Sequence, residues 1–179
     1  MNIILIGYRG TGKSSVGKGL AEKLQLPFYD TDDLVEAAGG HSIREIVAES
    51  GWPFFRELEK KVVRELAGRP EGVVATGGGA VMDKGNADIL KKMGTLIWLV
   101  ADAETIAERI LNDSHSSEKR PALTAKDVCR ETEDILKERT PVYSRLADFS
   151  VDTEGKCVDE IVSEIYQFLK ENDNIVRKG

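Results

Sequence analysis

The stretch "GYRGTGKSS", residues 7–15, follows the apolar run "NIILI" and precedes the helical pattern "SSVGKGLAEKL". It satisfies G-x-x-x-x-G-K-[ST] at every fixed position, in the strand, loop and helix context that a phosphate-binding loop requires. Its glycines let the backbone wrap around phosphate oxygens, and the N-terminus of the following helix adds its positive end. The stretch therefore predicts a nucleotide site, in which Lys13 reaches the β and γ phosphates and Ser14 binds Mg²⁺.

Composition narrows the class of protein. The 179 residues, 41% of them hydrophobic, suit one globular domain, and the net charge of −6 argues against a broad nucleic-acid surface. Cys129 and Cys157 lack metal-binding spacing, so we expect reduced thiols serving as small core residues. With no signal-peptide pattern and no apolar run near ~18 residues, we expect a soluble, cytoplasmic protein without membrane or nucleic-acid partners.

Short apolar runs alternate with longer amphipathic segments along the chain. The runs predicted as strands are residues 2–6, 27–30, 72–76, 94–100 and 148–152. The continuous apolar character of the first and fourth runs is typical of parallel strands covered on both faces. The predicted fold is an α/β class three-layer α/β/α sandwich. Helix starts are indicated by "SIRE" at Ser42, which has capping-box spacing, and more weakly by "TAKD" at Thr124.

Two stretches interrupt this alternation. Residues 31–67 hold several helical segments between the second and third strands, and residues 112–123, "NDSHSSEKRPAL", are polar without an apolar period. The second stretch suits either a solvated loop or a lid.

Candidate acceptor residues follow the second strand in "YDTDDL". Asp30 and Asp32 are predicted to share one face of an extended segment, where one approaches a metal and the other a substrate. The alternative is that Asp32 or Asp33 caps a helix beginning near Leu34.

Three further motifs narrow the acceptor: "FFRELE" with Arg56, "TGGGA" with residues 77–79, and "ERTPVYSRLAD" with Arg139. A glycine triplet lets backbone approach a ligand, and two arginines in one site suit a carboxylate. Glu59, three residues after Arg56 on a helix, is close enough to orient its guanidinium.

Taken in order, the motifs GYRGTGKSS, YDTDD, FFRELE, ATGGGAV, KRPAL and ERTPVY resemble the shikimate kinase family, small kinases of the nucleoside-monophosphate-kinase type. The resemblance runs from residue 3 to about residue 170. It implies a P-loop sandwich with a five-stranded parallel sheet in one kinase domain. Within that domain it implies a core (1–30, 63–111 and 124–179), a helical substrate-binding insertion (31–62) and a lid (112–123).

The resemblance also implies roles for individual residues. Asp32 is expected to contact the ring hydroxyls and to act as base at the 3-hydroxyl, while Asp30 and Ser14 lie at Mg²⁺. Arg56 and Arg139 are expected to clamp the carboxylate. The implied catalytic residues are Asp32, Lys13 and Arg120, the last in the lid; the implied substrate-binding residues are Asp32, Arg56, Gly77, Gly78, Gly79 and Arg139. The implied ATP-binding residues are Gly10, Thr11, Gly12, Lys13, Ser14, Ser15, Arg109 and Arg120, with Lys156 a weaker candidate near adenine.

The implied reaction is transfer of the ATP γ-phosphate to the 3-hydroxyl of shikimate, with Mg²⁺, on the route to chorismate and aromatic amino acids. The small size of the chain makes a monomer the expected state. Val47 and Trp52 depart from the phenylalanine and glutamate often found there in the family, which leaves the packing around the ring open. Phe55 is expected as an apolar wall, with a core role open for Phe54.

Other functions remain to be distinguished. A gluconate kinase would share the build but not the combined acceptor set of Asp32, Arg56, Gly78 and Arg139. A regulatory module without catalysis would be expected to lose Asp32 or Arg120 first. A GTPase is disfavoured because the sequence has no N-K-x-D guanine-reading segment.

Overall fold

Five parallel strands form a central sheet in the computed structural model, which describes residues 1–112 and 125–172. Every predicted strand is confirmed within one residue at each end. The strands are β1 (Asn2–Ile6), β2 (Phe28–Asp30), β3 (Val73–Ala75), β4 (Gly94–Val100) and β5 (Phe149–Asp152). The helices are α1 (Lys13–Leu24), α2 (Thr31–Gly39), α3 (Ile43–Leu66), α4 (Lys84–Met93), α5 (Ala103–Asn112), α6 (Ala125–Leu146) and α7 (Val158–Glu171).

The strand order is β2-β3-β1-β4-β5, so β1 lies at the centre between β3 and β4. Ile4 of β1 is level with Val74 on one side and Leu96 on the other. Because all strands are parallel, the segments that follow β1, β2 and β3 emerge at one edge of the sheet. Ligands of open α/β sheets bind at that edge.

Both faces of β1 are buried, as its continuous apolar sequence predicts. Ile3 and Leu5 join a core cluster with residues of α1 and α7. Ile4 and Ile6 join a second cluster with residues of α2, α3, α4 and α6. Successive strand side chains point to opposite faces, so one apolar run serves two layers of helices.

The predicted helical insertion between β2 and β3 is confirmed as α2 and α3. Ser42 caps α3 as predicted: its hydroxyl accepts the Glu45 N–H at 3.3 Å, and its own N–H donates to the Glu45 carboxylate at 2.9 Å. Gly51 breaks α3 with a φ of 79°, just before Pro53. Proline cannot complete the hydrogen bonds of an uninterrupted helix, so a kink forms here.

The prediction for the chain after β2 is wrong in one respect. Helix α2 begins at Thr31 rather than near Leu34, and Asp30 is its N-cap, with a carboxylate that accepts the Asp32 N–H at 3.0 Å. Asp30 and Asp32 therefore do not share an extended segment, and neither Asp32 nor Asp33 is the cap. The carboxylate at the strand end satisfies a free N–H of the first turn and starts the helix early.

The expected core role is wrong for Cys157, and the core role left open for Phe54 is not found. Cys157 is exposed at the N-cap of α7, while Cys129 is half-buried, and both are free thiols. Phe54 is exposed, whereas Phe55 is buried in the core cluster around α3. On the amphipathic α3, only one of two consecutive positions faces the core.

In the described ranges, no helix combines the length and apolar character needed to span a bilayer. The predicted lid residues from 113 to 123, including Arg120, lie outside the described residues, as does Thr124.

Candidate active site

The phosphate-binding loop joins β1 to α1 at the carboxyl edge of the sheet. Gly10 and Gly12 adopt φ angles of 77° and 89°, in the left-handed region that glycine enters without a steric cost. The Lys13 ammonium donates to the carbonyls of Gly7 at 2.9 Å and Tyr8 at 2.7 Å. Burial lowers the pKa of Lys13 to about 8, although the charges of Asp32 and Asp30 oppose this.

A cavity of about 350 Å³ opens over this loop. It brings together most of the nucleotide-site residues expected from the sequence with residues from the ends of β2 and β3. It is lined by Arg9, Gly10, Gly12, Lys13, Ser14, Ser15, Asp30, Asp32, Thr76, Gly78, Arg109 and Ile110. Thr11 is buried instead, where its hydroxyl donates to the Tyr8 carbonyl at 2.8 Å and braces the loop.

Ser14 and Asp30 form an oxygen pair at the cavity wall. The Ser14 hydroxyl donates to one carboxylate oxygen of Asp30 at 2.6 Å, while the other oxygen accepts the Asp32 N–H. Mg²⁺ prefers oxygen ligands and usually takes only one or two from protein, the rest coming from phosphates and water. The pair fits such a site.

Asp32 lies in the first turn of α2, largely withdrawn from solvent. Burial raises the pKa of its carboxyl from 3.8 to about 6, and the neighbouring Asp30 adds to the rise, while Lys13 opposes it. The carboxylate is thus ionised at neutral pH but is a stronger base than an ordinary aspartate.

The raised pKa of Asp32 predicts a stability cost. The folded protein retains a proton on Asp32 that the unfolded chain releases above about pH 4, so folding weakens as pH rises through the window from 3.8 to about 6 and stays weaker above it. We expect Asp32→Asn to stabilise the protein at pH 7.5 by about 2 kcal/mol, or a Tm rise of roughly 4–8 °C. Thermal denaturation should show this gain shrinking to about a third at pH 4.5.

Asp33→Asn is the matched control, since it removes the same formal charge from an exposed neighbour. Partial burial and the charge of Asp30 raise the pKa of Asp33 as well, so its gain should have the same direction but be smaller. A pH-independent gain for Asp32→Asn, or an equal gain for Asp33→Asn, would contradict the assigned cause.

The glycine triplet at 77–79 lies where acceptor-site side chains approach the backbone. A Cβ at Gly77 would come within 2.5 Å of an Asp32 carboxylate oxygen, and one at Gly79 within 2.8 Å of the Arg56 guanidinium. The Gly77 N–H also donates to the buried Thr31 hydroxyl at 2.7 Å. A Cβ at either position would displace these side chains from the backbone, so glycine allows the predicted close approach.

The two predicted arginines flank this triplet. Arg56 donates to both carboxylate oxygens of Glu59, at 3.0 and 2.8 Å, and the Glu59 side chain is only 2% exposed. The predicted orienting contact is thus present. Arg139 donates to the Gly78 carbonyl at 3.1 Å, and its guanidinium carbon lies 5.5 Å from the centre of the Tyr8 ring.

Of the two departures noted in the sequence, Trp52 borders Arg56. Its guanidinium carbon lies 5.7 Å from the exposed Trp52 ring and 5.0 Å from the buried Phe55 ring. Val47 packs at the edge of the core cluster. The two aromatic rings therefore restrict the Arg56 guanidinium in addition to its ion pair with Glu59.

Arg109 connects the phosphate loop with the segment after β5. It donates to the Thr153 carbonyl at 2.7 Å, to the Thr153 hydroxyl at 2.9 Å and to the Gly10 carbonyl at 3.4 Å. These contacts show a bracing role, and its expected adenine contact stays a prediction. Lys156 pairs with Glu164 at 2.6 Å.

Several site residues were missed from the sequence. Thr31 and Tyr143 hold the glycine triplet, and Arg9 and Thr76 line the cavity. All four lie inside the motifs quoted from the sequence, which is the signal that could have found them, and Tyr143 also lies four residues after Arg139 on the same helix.

The phosphate loop opens toward Asp32, whose raised pKa makes it a proton acceptor, and Arg56 and Arg139 lie nearby. These are the parts needed for transfer of a phosphoryl group to an acceptor. Fold and site together define a P-loop kinase of the nucleoside-monophosphate-kinase type. Comparison with known proteins is more specific, since a family model described as shikimate kinase matches residues 9–170. The chain belongs to the shikimate kinase family.

Individual relatives bear the same family name as this family model. A shikimate kinase of Syntrophus aciditrophicus is 50% identical over 172 residues, covering 92% of this chain and 88% of that protein. The structure of an Acinetobacter baumannii shikimate kinase in complex with shikimate matches with a TM-score of 0.87 at 33% identity, over 96% of this chain and 93% of that one. A shikimate kinase structure from Aquifex aeolicus matches with a TM-score of 0.83 at 36% identity, over 97% and 98% of the two chains.

Proposed function

We propose that this protein transfers the γ-phosphate of ATP to the 3-hydroxyl of shikimate, giving shikimate 3-phosphate and ADP on the route to chorismate and aromatic amino acids. One observation carries the proposal: the Asp32 carboxylate and the guanidinium groups of Arg56 and Arg139 each lie against one residue of a single glycine triplet. Asp32 and Gly78 also line the phosphate cavity. The three side chains offer a base for a hydroxyl and cations for a carboxylate. Shikimate carries both groups.

In this proposal Arg56 and Arg139 bind the acceptor's carboxylate. Guanidinium groups suit carboxylates because they donate two parallel hydrogen bonds and remain charged. Glu59 uses one terminal nitrogen of Arg56, and the Gly78 carbonyl accepts from one terminal nitrogen of Arg139. Each guanidinium is therefore anchored through one nitrogen and keeps further N–H groups for a ligand.

Asp32 then accepts the proton of the 3-hydroxyl as the oxygen attacks phosphorus. Its raised pKa makes it a better proton acceptor while leaving it ionised at pH 7. Lys13 and the loop N–H groups neutralise charge on the phosphates. Positioning and charge neutralisation contribute most to such a transfer, since it needs no covalent intermediate.

A kinase with ATP as co-substrate generally requires Mg²⁺. We propose that Ser14 and Asp30 hold it, supported by their oxygen pair at the cavity wall. When bound, Mg²⁺ neutralises phosphate charge and helps to orient the phosphates.

The remaining parts of the proposal concern the rest of the chain. Residues 31–62 form the substrate-binding region and 112–123 the lid, whose Arg120 contributes charge to the transferring phosphoryl group. Arg109 borders adenine. The protein acts as a cytoplasmic monomer on small molecules, without nucleic acid or membrane.

The first test is ADP release in a coupled assay with Mg²⁺ and ATP, with shikimate, gluconate and quinate as parallel acceptors. We expect turnover with shikimate alone, because gluconate and quinate carry a carboxylate but place their hydroxyls differently. Turnover with gluconate instead of shikimate would favour the alternative function, a gluconate kinase. If the protein binds ATP but turns over none of these acceptors, the nucleotide-site assignment stands and the acceptor assignment is wrong.

A further inference from the structure

Tyr143 lies on α6 at the border between the core and the acceptor site. Its side chain is fully buried, and its ring packs 5.9 Å from the ring of Trp98. Its hydroxyl donates to the Gly78 carbonyl at 2.5 Å. Phenylalanine would fill the same space, so the hydroxyl is the part that requires an explanation beyond packing.

The Gly78 carbonyl is held by two donors from one helix. Arg139 donates to it at 3.1 Å, and Tyr143 follows Arg139 by four residues, on the next turn of the same helix face. A carbonyl oxygen has two lone pairs and can accept both bonds. The same oxygen therefore fixes the position of a guanidinium and of a phenol.

Holding this carbonyl also sets the direction of a backbone donor. The Gly78 carbonyl and the Gly79 N–H belong to one planar trans peptide, so they point in opposite directions. Within residues 1–112 and 125–172, the Gly79 N–H has no acceptor, and Gly79 lies directly against Arg56. The peptide thus presents an N–H donor on the side away from α6.

We propose that Tyr143 is a positioning residue for the acceptor: it holds the peptide between Gly78 and Gly79, together with Arg139, in the orientation that receives the acceptor's carboxylate. This inference rests on the proposed function. Tyr143 touches no reacting group and acts through Gly78. Burial raises the pKa of Tyr143 against the opposing effect of Arg139, so the phenol remains a donor throughout the neutral range.

Tyr143→Phe keeps the ring and removes only the hydroxyl. We expect the KM for shikimate to rise about tenfold, the scale of one lost hydrogen bond to a buried carbonyl. The kcat and the KM for ATP should stay within about twofold, because Asp32 and the phosphate loop are unchanged. Steady-state kinetics with each substrate varied, and thermal denaturation of both proteins, give these values.

Tyr29→Phe is the matched control. It removes another phenol bond to a backbone carbonyl, that of Tyr29 to Pro70 at 3.2 Å, on the exposed side of the sheet edge. Its KM for shikimate should not change. If Tyr143→Phe lowers only the Tm, with no shikimate-specific change in KM, the positioning role is overturned and the hydroxyl serves packing alone.

A second variant tests whether the two donors act through one carbonyl. In an Arg139→Met background, Tyr143→Phe should raise the KM for shikimate by less than about threefold, because the guanidinium that the Gly78 carbonyl fixes is already absent. A full tenfold effect in that background would show independent action and overturn the inference.

Calorimetric titration of shikimate into the wild type and into Tyr143→Phe distinguishes failure of the inference from failure of the proposed function. Wild-type turnover with an unchanged KM in Tyr143→Phe overturns the inference alone. Wild-type binding without turnover, with weaker binding by Tyr143→Phe, overturns the proposed function and supports the inference. Absence of binding to the wild type overturns both.

Discussion

Asp32→Asn is expected to lower kcat with shikimate by about 10³-fold, within the range that a positioned general base contributes. The amide keeps the shape of the side chain but cannot accept the proton of the attacking hydroxyl. Affinity for ATP should change by less than about threefold, because Lys13 and the loop backbone are untouched. Single-turnover kinetics and a nucleotide titration measure the two quantities separately.

The pH dependence provides an independent check on Asp32. Because the pKa of its carboxyl is raised to about 6, kcat/KM for shikimate should fall tenfold per pH unit below about pH 6 and be level just above it. The variant should lack this acid limb. Asp33→Asn, one residue away with an exposed side chain, should retain both the rate and the limb. A large loss of ATP affinity in Asp32→Asn would count against its role as base.

Arg56→Ala is expected to raise the KM for shikimate about 100-fold, the scale of a charge-assisted bidentate contact. The kcat should fall much less, since a carboxylate contact remote from the reacting hydroxyl serves the ground state and the transition state alike. Arg64→Ala, an exposed arginine on the same helix, is the matched control and should leave the KM unchanged. An unchanged KM in Arg56→Ala would remove Arg56 from the carboxylate site.

Loss of stability could obscure this result, and a double variant resolves it. Arg56→Ala leaves the carboxyl of Glu59 buried without its ion-pair partner, which destabilises the fold. Arg56→Ala/Glu59→Gln removes the unpaired charge, so the Tm should recover while the KM for shikimate stays high. If the double variant recovers both the Tm and the KM for shikimate, the KM defect of Arg56→Ala is caused by misfolding instead.

The fold was largely predictable from local sequence. The short apolar runs predict all five strands, and β1 and β4 are the clearest because burial on both faces leaves little alternation of polar residues in them. Ser42 and Glu45 predict the start of α3 because a capping box involves only neighbouring residues. The capping of α2 was predicted wrongly because four consecutive acidic and hydroxyl positions, at 30–33, all suit an N-cap.

Side-chain burial was less predictable. Phe54 and Phe55 are chemically alike, yet only Phe55 faces the core. Cys157 has the usual character of a buried residue, yet it lies at an exposed helix start. Tertiary packing determines such outcomes because neighbouring elements, not the residue itself, remove it from water.

The sequence by itself determined the phosphate loop, the strands and the residues of the acceptor motifs, since each depends on short-range order and spacing. Only the tertiary structure decided how those residues meet: Asp32 against Gly77, Arg56 against Gly79, and Arg139 with Tyr143 on the carbonyl of Gly78. It also decided the basicity of Asp32, because burial and the charge of Asp30 raise its pKa. These contacts join segments distant along the chain, which the parallel order of β2, β3 and β1 brings to one edge of the sheet.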